Sequence, residues 1–381
     1  MPMQPYTDPP RDGLTRQQVT DLLQNAPAVT LAGGMEIVDI DLTVIEDISG
    51  DLAGGSVERQ SYADMHGTAR FRLSRVVDWG GDLLRPYLTI SAAAVTGRWN
   101  LGVYHPSTPA WSLEESPPPF DVEGYDILLR LNQPVGSSYS ILGGEAYLDK
   151  VEQILQQRGY SQYLIDPDRA TTVSPTSRVW PFDPATTWLT VVNNLLASVG
   201  YAGIWSDWDG RLRCQPYQTP LARSPEWYYS DDQATTMLST KRVVTHDFFA
   251  SPNRWVAYRS NLVEGATPVE GNGIYTYQND AAGDTSVQAR RGLVITRAPE
   301  GFDVADQAAL VARAQSMIDA DMTVPTIYDV ETAPNPAHWH FDRLFVSDDA
   351  FPAADVMCTQ WTLPLPPDTG DMAQEWRILV A

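Results

Sequence analysis

The sequence predicts an α+β protein that is rich in β-structure, with two β-barrel-like domains separated by an α/β module. Alternation of apolar and polar residues dominates both ends of the chain, and helical periodicity is concentrated in the middle. The composition, with 29 Pro, 26 Gly, 12 Trp and 17 Tyr in 381 residues, favours many turns and short strands. The predicted parts are an arm with a short helix (1–28), a first β domain (29–135), the α/β module (136–238) and a second β domain (239–381).

The most strongly patterned stretch is 178–217. Asp183 before Pro184 is typical of a helix start, because proline has no N–H to lose at the first helical position. Gly200 ends the apolar periodicity, and Asp209-Gly210 predicts a tight hairpin turn. One apolar helix face is formed by Trp188, Leu189, Val192, Leu195, Leu196 and Val199. The stretch therefore predicts a helix followed by two strands.

The first β domain is predicted from alternating segments. Residues 29–48 indicate one half-buried strand, 68–73 a second, and Thr96-Gly97 a turn between two more. The Pro- and Ser-rich segment 105–119 is typical of a loop. Before this domain, residues 14–25 indicate a short helix with Thr15 as its cap.

The remaining elements follow the same rules. Two further helices and the later strands are predicted at 145–158 (ended by Gly159), 304–319, 242–249, 253–261, 273–278, 292–296 and 375–380.

Charge and cysteine content exclude several classes of protein. The formal net charge of −22 argues against a surface that reads DNA, since such surfaces depend on Lys and Arg. Two cysteines, Cys214 and Cys358, are too few for a disulfide framework. The N-terminus lacks the pattern of a signal peptide, and no segment has the roughly 20 apolar residues of a membrane-spanning helix. We therefore expect a protein made in the cytoplasm, with no membrane-spanning segment.

Two clusters resemble metal sites, and each has a second interpretation. His338, His340 and Asp342 would share one face of a strand, where they could bind zinc or simply face solvent. The sequence 207–210, Asp-Trp-Asp-Gly, resembles the start of a calcium loop but lacks the later glutamate, so a hairpin turn is favoured. No metal-binding residue is assigned.

Catalytic patterns are absent from the sequence. There is no GxSxG elbow, no GxGxxG and no Walker pattern. Glu226 beside Trp227 and Asp78 beside Trp79 are compatible with a glycosidase cleft, but aromatic residues at strand ends are more often packing residues. We therefore predict a protein that is not an enzyme, with no catalytic and no cofactor-binding residues.

The order of a β domain, an α/β module and a second β domain resembles the tail hub proteins of long-tailed phages. The residues that carry this likeness are the block FDPATTWLTVVNNLLASVGYAGIWSDWDGRLRCQPY and the later SPNRWVAYRSN, a pairing similar to that in minor tail proteins of actinobacterial siphophages. The resemblance extends to the hubs of contractile-tail baseplates and to the N-terminal hub part of tail-associated lysins. It covers nearly the whole chain from about Val29.

The resemblance implies a structural role in the virion. The chain would form a homotrimeric ring at the tail tip or baseplate, joining the distal tail protein and the tube to tape measure, tip or fibre proteins. Genomic DNA would pass through the ring at ejection without specific binding, and the acidic charge would repel it. The alternatives are a receptor- or carbohydrate-binding tail adhesin and, less favoured, a carbohydrate-active enzyme.

Overall fold

The computed structural model describes residues 14–26, 28–92, 95–111, 120–165, 174, 177–199, 201–216, 223–230, 237–246, 251–260, 267–281, 285–302, 307–322, 326–339, 342–348, 351–366 and 370–379. The chain divides into two compact units. The first comprises residues 1–242 and 330–376, and the second comprises residues 243–329 and 377–381. The fold is α+β and mostly β, as the sequence predicts.

Strands outnumber helices throughout the described residues. The strands are β1 (Thr30–Val38), β2 (Val44–Asp47), β3 (Leu52–Gln60), β4 (Gly67–Leu73), β5 (Leu83–Ala92), β6 (Val95–Asn100), β7 (Tyr104–Trp111), β8 (Phe120–Asp126), β9 (Tyr139–Ile141), β10 (Tyr163–Ile165), β11 (Arg178–Trp180), β12 (Trp205–Ser206), β13 (Leu212–Cys214), β14 (Trp227–Ser230), β15 (Leu238–His246), β16 (Arg254–Arg259), β17 (Val269–Glu270), β18 (Gly273–Gln278), β19 (Glu300–Phe302), β20 (Thr326–Thr332), β21 (Arg343–Asp348), β22 (Phe351–Leu365) and β23 (Met372–Ile378). The helices are α1 (Arg16–Thr20), α2 (Tyr147–Gln157), α3 (Trp188–Ala197) and α4 (Gln307–Met322). None of the described helices is both long and apolar enough to cross a membrane.

A 14-stranded sheet is the largest element of the fold. Its strands run in the order β15-β20-β23-β22-β3-β4-β8-β7-β5-β1-β2, with β6 paired to β5 and β21 lying between β22 and β14. In β4 the buried and exposed residues alternate strictly, so one face of the sheet packs and the other stays open. The packed face of β22, β3, β4 and β8 buries Trp361, Leu363, Val57, Ala69, Phe71, Leu73, Phe120 and Val122.

The α/β module packs around its two main helices. Apolar side chains of α2 and α3 recur at helical spacing and bury against the three-stranded sheet β10-β13-β12. Val38, Leu83 and Val103 belong to the same buried cluster, so the module shares a core with the β1–β8 region. Each large side chain in such a core contributes about 1.5–3 kcal/mol through burial.

The second unit has its own sheet and core. Strands β17, β18, β16 and β19 form a four-stranded sheet, against which α4 packs. Ala257, Leu310 and Ala314 form its buried apolar centre. The indole N–H of Trp255 donates to Asp321 Oδ2 at 2.9 Å, which fixes α4 to β16.

Residues 29–48 form a hairpin and not the predicted single strand. Strands β1 and β2 flank a turn in which the Thr43 N–H donates to Asp39 Oδ1 at 2.8 Å and Leu42 has φ 67°. The turn contains neither Gly nor Pro, and the apolar alternation continues through it. The sequence pattern therefore gave no sign of the reversal.

The predicted loop at 105–119 is wrong in its first part. Strand β7 spans 104–111 and pairs with β8, with an irregularity between Ser107 and Ala110, whereas 112–119 lies outside the described residues. Proline is tolerated at such irregular positions in a sheet. Thr96 and Gly97 lie inside β6 and not in a turn, since they pair with Ser91 and Ile90 of β5.

Helix α3 begins four residues after the predicted start at Pro184. Its cap is Thr187, whose Oγ1 accepts the Thr190 N–H at 3.2 Å. Asp183 instead closes a turn by accepting the Ala185 N–H at 2.9 Å. Asp183 and Thr187 are both favourable N-cap residues, and capping propensity alone does not distinguish between them. Gly200 lies outside the described residues.

The other helices match the prediction. Thr15 caps α1 in a capping box with Gln18, and the chain continues as a π-helical turn at Asp21–Asn25. Gly159, with φ 80°, ends α2, where the Tyr160 N–H donates to the Leu155 carbonyl at 3.0 Å.

The strand predicted at 292–296 is not formed, and only a bridge between Arg254 and Thr296 is present there.

The compact units have other boundaries than the predicted domains. Strand β22 pairs with β3 over six residues, from Gln360 opposite Gln60 to Leu365 opposite Gly55. This ladder places the C-terminal strands in the first unit, whereas prediction from local pattern assigned them to 239–381. Periodicity identifies a strand but not its distant partner, which explains the difference.

Candidate functional site

The candidate functional surface is the open face of β22, β3, β4 and β8. Consecutive residues of these strands point to opposite faces, so each buried residue has polar neighbours on the open side. Cross-strand neighbours on this face include Arg70 opposite Glu123 and Arg72 opposite Asp121. We call this surface the open face; it consists of Ser56, Glu58, Gln60, Thr68, Arg70, Arg72, Asp121, Glu123, Tyr125, Gln360 and Thr362.

Charges and amides on the open face are matched across the strands. Arg72 Nε donates to Asp121 Oδ1 at 2.9 Å, although the two side chains are 60% and 55% exposed. Gln360 Nε2 donates to Glu58 Oε1 at 2.9 Å, which joins β22 to β3. No exposed large apolar side chain lies on these four strands among the described residues. The surface is therefore polar and close to charge-balanced.

Behind the open face, the same strands enclose a buried ion pair. Arg59 Nη1 lies 3.2 Å from Asp126 Oδ2, and the side chains are 4% and 1% exposed. Ser206 Oγ donates to Asp126 Oδ2 at 2.9 Å, and the Leu128 N–H donates to Asp126 Oδ1 at 3.0 Å. The Arg59 guanidinium also lies 4.2 Å from the Trp339 ring centroid. These contacts fix β3, β8 and β12 to one another.

Burial keeps the neighbouring titratable groups uncharged. Desolvation lowers the pKa of His66, and the Arg59 charge lowers it further, so its imidazole stays neutral at pH 7. Desolvation raises the pKa of Tyr104. Burial also lowers the pKa of His105 to about 4, with Arg130 contributing. These shifts arise chiefly from burial of the groups in the packed protein.

The predicted His338–Asp342 cluster is buried and does not lie on a strand face. Both side chains are fully buried in the connection between β20 and β21, and His340 lies outside the described residues. His338 Nδ1 lies 3.2 Å from Asp342 Oδ2, and His338 Nε2 is hydrogen-bonded to the Tyr229 hydroxyl. Both ring nitrogens are therefore used within the protein. Among the described residues, no three His, Cys, Asp or Glu side chains gather as metal ligands.

Glu226, one of the candidate glycosidase residues, lies next to this cluster. Its Oε2 accepts the Arg343 N–H at 2.5 Å, and Arg223 Nη1 lies 3.2 Å from its Oε1. Burial and the nearby Asp342 charge raise the pKa of Glu226 to about 7. The carboxyl group holds β14 beside β21, and its oxygens are occupied by the protein's own donors.

The other predicted acidic positions also serve turns. Asp207 Oδ1 accepts the N–H groups of Asp209 and Arg211 at 3.0 and 2.9 Å, while Arg213 binds Oδ2. This is the predicted hairpin turn between β12 and β13, with Gly210 at φ 90°. A Cβ at Gly210 would lie 2.5 Å from Val103, so glycine is required there. Asp78 likewise accepts the Gly80 N–H at 3.3 Å.

Sequence reasoning did not identify the open face as a functional surface. It predicted a strand at 68–73, but not the strands that would pair with it. The opposing carboxylates, Asp121 and Glu123, lie about 50 positions away and become neighbours only through the β4–β8 ladder. Alternating charge in two separate strands was the signal available.

Solved structures with a similar fold include tail proteins and a chain of a VgrG complex. A tail protein from Neisseria meningitidis MC58 is 12% identical, with a TM-score of 0.63 over 91% of this chain and 97% of that one. The 43 kDa tail protein of prophage MuSo2 from Shewanella oneidensis is 8% identical, with a TM-score of 0.59 over 91% and 98%. A chain of the Francisella PdpA–VgrG complex is 9% identical, with a TM-score of 0.55 over 95% and 60%. At such identities the likeness establishes the fold alone.

Comparisons by sequence gave no match. No family model matches the chain, and neither does any curated protein.

Proposed function

We propose that the chain is a structural hub of a phage tail tip or baseplate. Three copies form a ring that joins the distal tail ring and tube to the tip proteins and encloses the channel for DNA. The observation that carries the proposal is the likeness of more than nine-tenths of the chain to tail proteins of nearly equal length. A structural role also agrees with the hydrogen bonding of Asp207 and His338, whose polar atoms bond within a turn and a buried pair.

The open face is the surface that we assign to the channel. DNA leaving through a ring requires a wall that is wetted and has no apolar patch or unopposed cation to bind phosphates. Arg70 and Arg72 each lie opposite a carboxylate, so the open face presents no net basic stripe. The formal net charge of −22 adds general repulsion of the polymer.

The proposed partners follow from the position in the tail. They are two further copies of this chain, the distal tail protein, the tape measure protein and the tip or fibre proteins. The protein would be made in the host cytoplasm and act in the virion as a non-enzymatic component. Mass measurement of the purified chain, alone and with neighbouring tail proteins, tests this assembly: a trimer is expected, and a monomer under all these conditions would contradict it.

The assignment of the open face is tested by removing its carboxylates. Asp121→Asn with Glu123→Gln leaves Arg70 and Arg72 unopposed, so we expect the variant to retard duplex DNA in a gel at low salt while the unaltered chain does not. About two phosphate contacts per chain predict loss of binding as salt increases. Asp149→Asn with Glu152→Gln, which makes the same charge change on α2, is the control.

Two outcomes would contradict this assignment. Tight DNA binding by the unaltered chain would show that its surface is adhesive. Equal retardation by the α2 control would show that net charge, and not the open face, sets the interaction. Binding of the isolated chain to host cells or glycans would instead favour the tail adhesin.

A further inference from the structure

The two ends of the 14-stranded sheet expose aliphatic side chains. Strand β2 is last at one end and β15 at the other, and in the described part of the chain each pairs along one edge only. Val44 and Ile45 of β2 are 46% and 55% exposed, and Val243 and Val244 of β15 are 53% and 37% exposed. Unpaired strand edges with exposed aliphatic residues readily accept another strand.

The two edges have complementary sequences. Strand β2 reads Val-Ile-Glu-Asp over 44–47, and β15 reads Lys-Arg-Val-Val over 241–244. An antiparallel approach brings the acidic end of β2 beside the basic residues of β15, and the aliphatic pairs beside each other. A parallel approach would instead place Val44 and Ile45 against Lys241 and Arg242. Charge and hydrophobicity therefore both select the antiparallel arrangement.

We infer that β2 of one copy docks antiparallel on β15 of a second copy of this chain. The contact uses a different surface on each partner, so an open assembly has a free β2 at one end and a free β15 at the other until it closes into a ring. The inference rests on the proposed hub function and specifies the interface that closes its ring.

Glu46 and Lys241 remain available for docking despite their partners within the chain, whereas Arg242 is 23% exposed and pairs with the buried Asp348. Glu46 accepts from Arg75 but is 52% exposed, and Lys241 pairs with Glu331 but is 73% exposed. Docking would extend these pairs into networks across the interface. The β1–β2 ladder skips Ile45, and such an irregularity in an edge strand disfavours non-specific pairing with other strands. Side-chain complementarity, more than a long backbone ladder, then decides which strand docks.

The test uses two variants, each with one edge blocked. Val44→Lys with Ile45→Lys blocks β2, and Val243→Lys with Val244→Lys blocks β15. Each variant alone should be monomeric at concentrations where the unaltered chain is trimeric, with association weakened at least about tenfold. Mixed together, they retain one functional β15 and one functional β2 and should give a 1:1 dimer that grows no further. Light scattering measures these masses, and circular dichroism checks folding.

The outcomes separate this inference from the proposed function. If both blocked variants still form the unaltered chain's trimer, the edge inference is wrong while the hub proposal stands. If the unaltered chain is monomeric alone and with its tail neighbours, both fail. Larger assemblies in the mixture, or none, also overturn the inference. Leu142→Lys with Val179→Lys replaces exposed aliphatic residues away from both edges and should leave the trimer intact.

Disulfide trapping provides a second measurement that survives weak association. Ile45→Cys in one chain and Val243→Cys in another should form an inter-chain disulfide on mild oxidation. The chain's own Cys214 and Cys358 are both buried and free, so they do not compete. Leu142→Cys mixed with Val243→Cys is the matched control. Equal cross-linking of the two mixtures would overturn the inference.

Discussion

Strand β8 takes part in two ion pairs on opposite faces of the same sheet, and their surroundings differ sharply. Arg59–Asp126 lies on the packed face with side chains 4% and 1% exposed, whereas Arg72–Asp121 lies on the open face at 60% and 55%. The N···O distances, 3.2 and 2.9 Å, are similar. Geometry alone therefore does not distinguish a structural ion pair from one that tunes a surface. Burial does, because solvent screens the exposed pair and not the buried one.

The difference indicates what each face is built for. On the packed face every oxygen of Asp126 has a donor, from Arg59, Ser206 or the Leu128 N–H. Removing either residue of the Arg59–Asp126 pair would leave the other charge buried without a partner. On the open face the partners of Arg72 can be replaced by water. We interpret the packed face as the part that stabilises the fold. We interpret the open face as a surface whose charged residues contribute little to the fold and can serve contacts with solvent or other molecules.

The largest expected effect comes from truncating Asp126, and truncating Asp121 on the same strand is its comparison. Asp126→Ala leaves the Arg59 guanidinium buried without its carboxylate and should lower the free energy of unfolding by about 3–5 kcal/mol. Asp121→Ala, the same change on the open face, should lower it by less than about 1 kcal/mol. Urea unfolding followed by tryptophan fluorescence measures both. Similar losses for the two variants would break the comparison.

A second buried carboxyl group sharpens the comparison through pH. The pKa of Glu226 is raised to about 7 from an unfolded value of 4.5, so between these values the folded chain binds the proton more tightly. Its contribution to stability is therefore complete below about pH 4.5 and is lost as pH rises to about 7. Glu226→Gln should remove this loss of roughly 1–3 kcal/mol.

The measurement is the difference in unfolding free energy between variant and unaltered chain across that pH range. Glu123→Gln on the open face is the matched control, because it makes the same chemical change at an exposed side chain. A difference that does not change with pH for Glu226→Gln would show that this carboxyl group is ionised at no cost in the folded chain.

The smallest expected effect is that of Arg72→Ala. An exposed pair contributes about 0.2–1 kcal/mol, and added salt reduces that contribution further. The unfolding free energy should therefore change slightly at low salt and still less at high salt. A loss above about 2 kcal/mol would place Arg72 in the structural core and remove the contrast between the faces.

Local pattern was enough to predict much of the fold. Neighbouring residues were enough to predict the strand at 68–73, the apolar faces of α2 and α3, and the chain reversals at Gly159 and Gly210. Each depends on interactions within a few positions of sequence. The β-rich class followed from the same signals together with composition.

Long-range pairing could not be predicted in the same way. The β22–β3 ladder joins residues 300 positions apart, and no periodicity indicates it. His338 and Asp342 have the spacing of metal ligands, yet Tyr229 bonds to His338 Nε2 and the Trp339 N–H donates to Asp342 Oδ2. The open face required both β4 and β8 to be placed before its charges could be matched. Sequence reasoning therefore identifies the strands and misses the surfaces that they build.

The central claim is most directly tested by electron cryo-microscopy of the assembled oligomer. We expect three copies around one axis, with Arg72 and Asp121 facing an open channel. A map in which this face is covered by protein or turned outward would contradict the assignment of the channel wall. A single chain with a saccharide bound in a cleft would contradict the hub function itself.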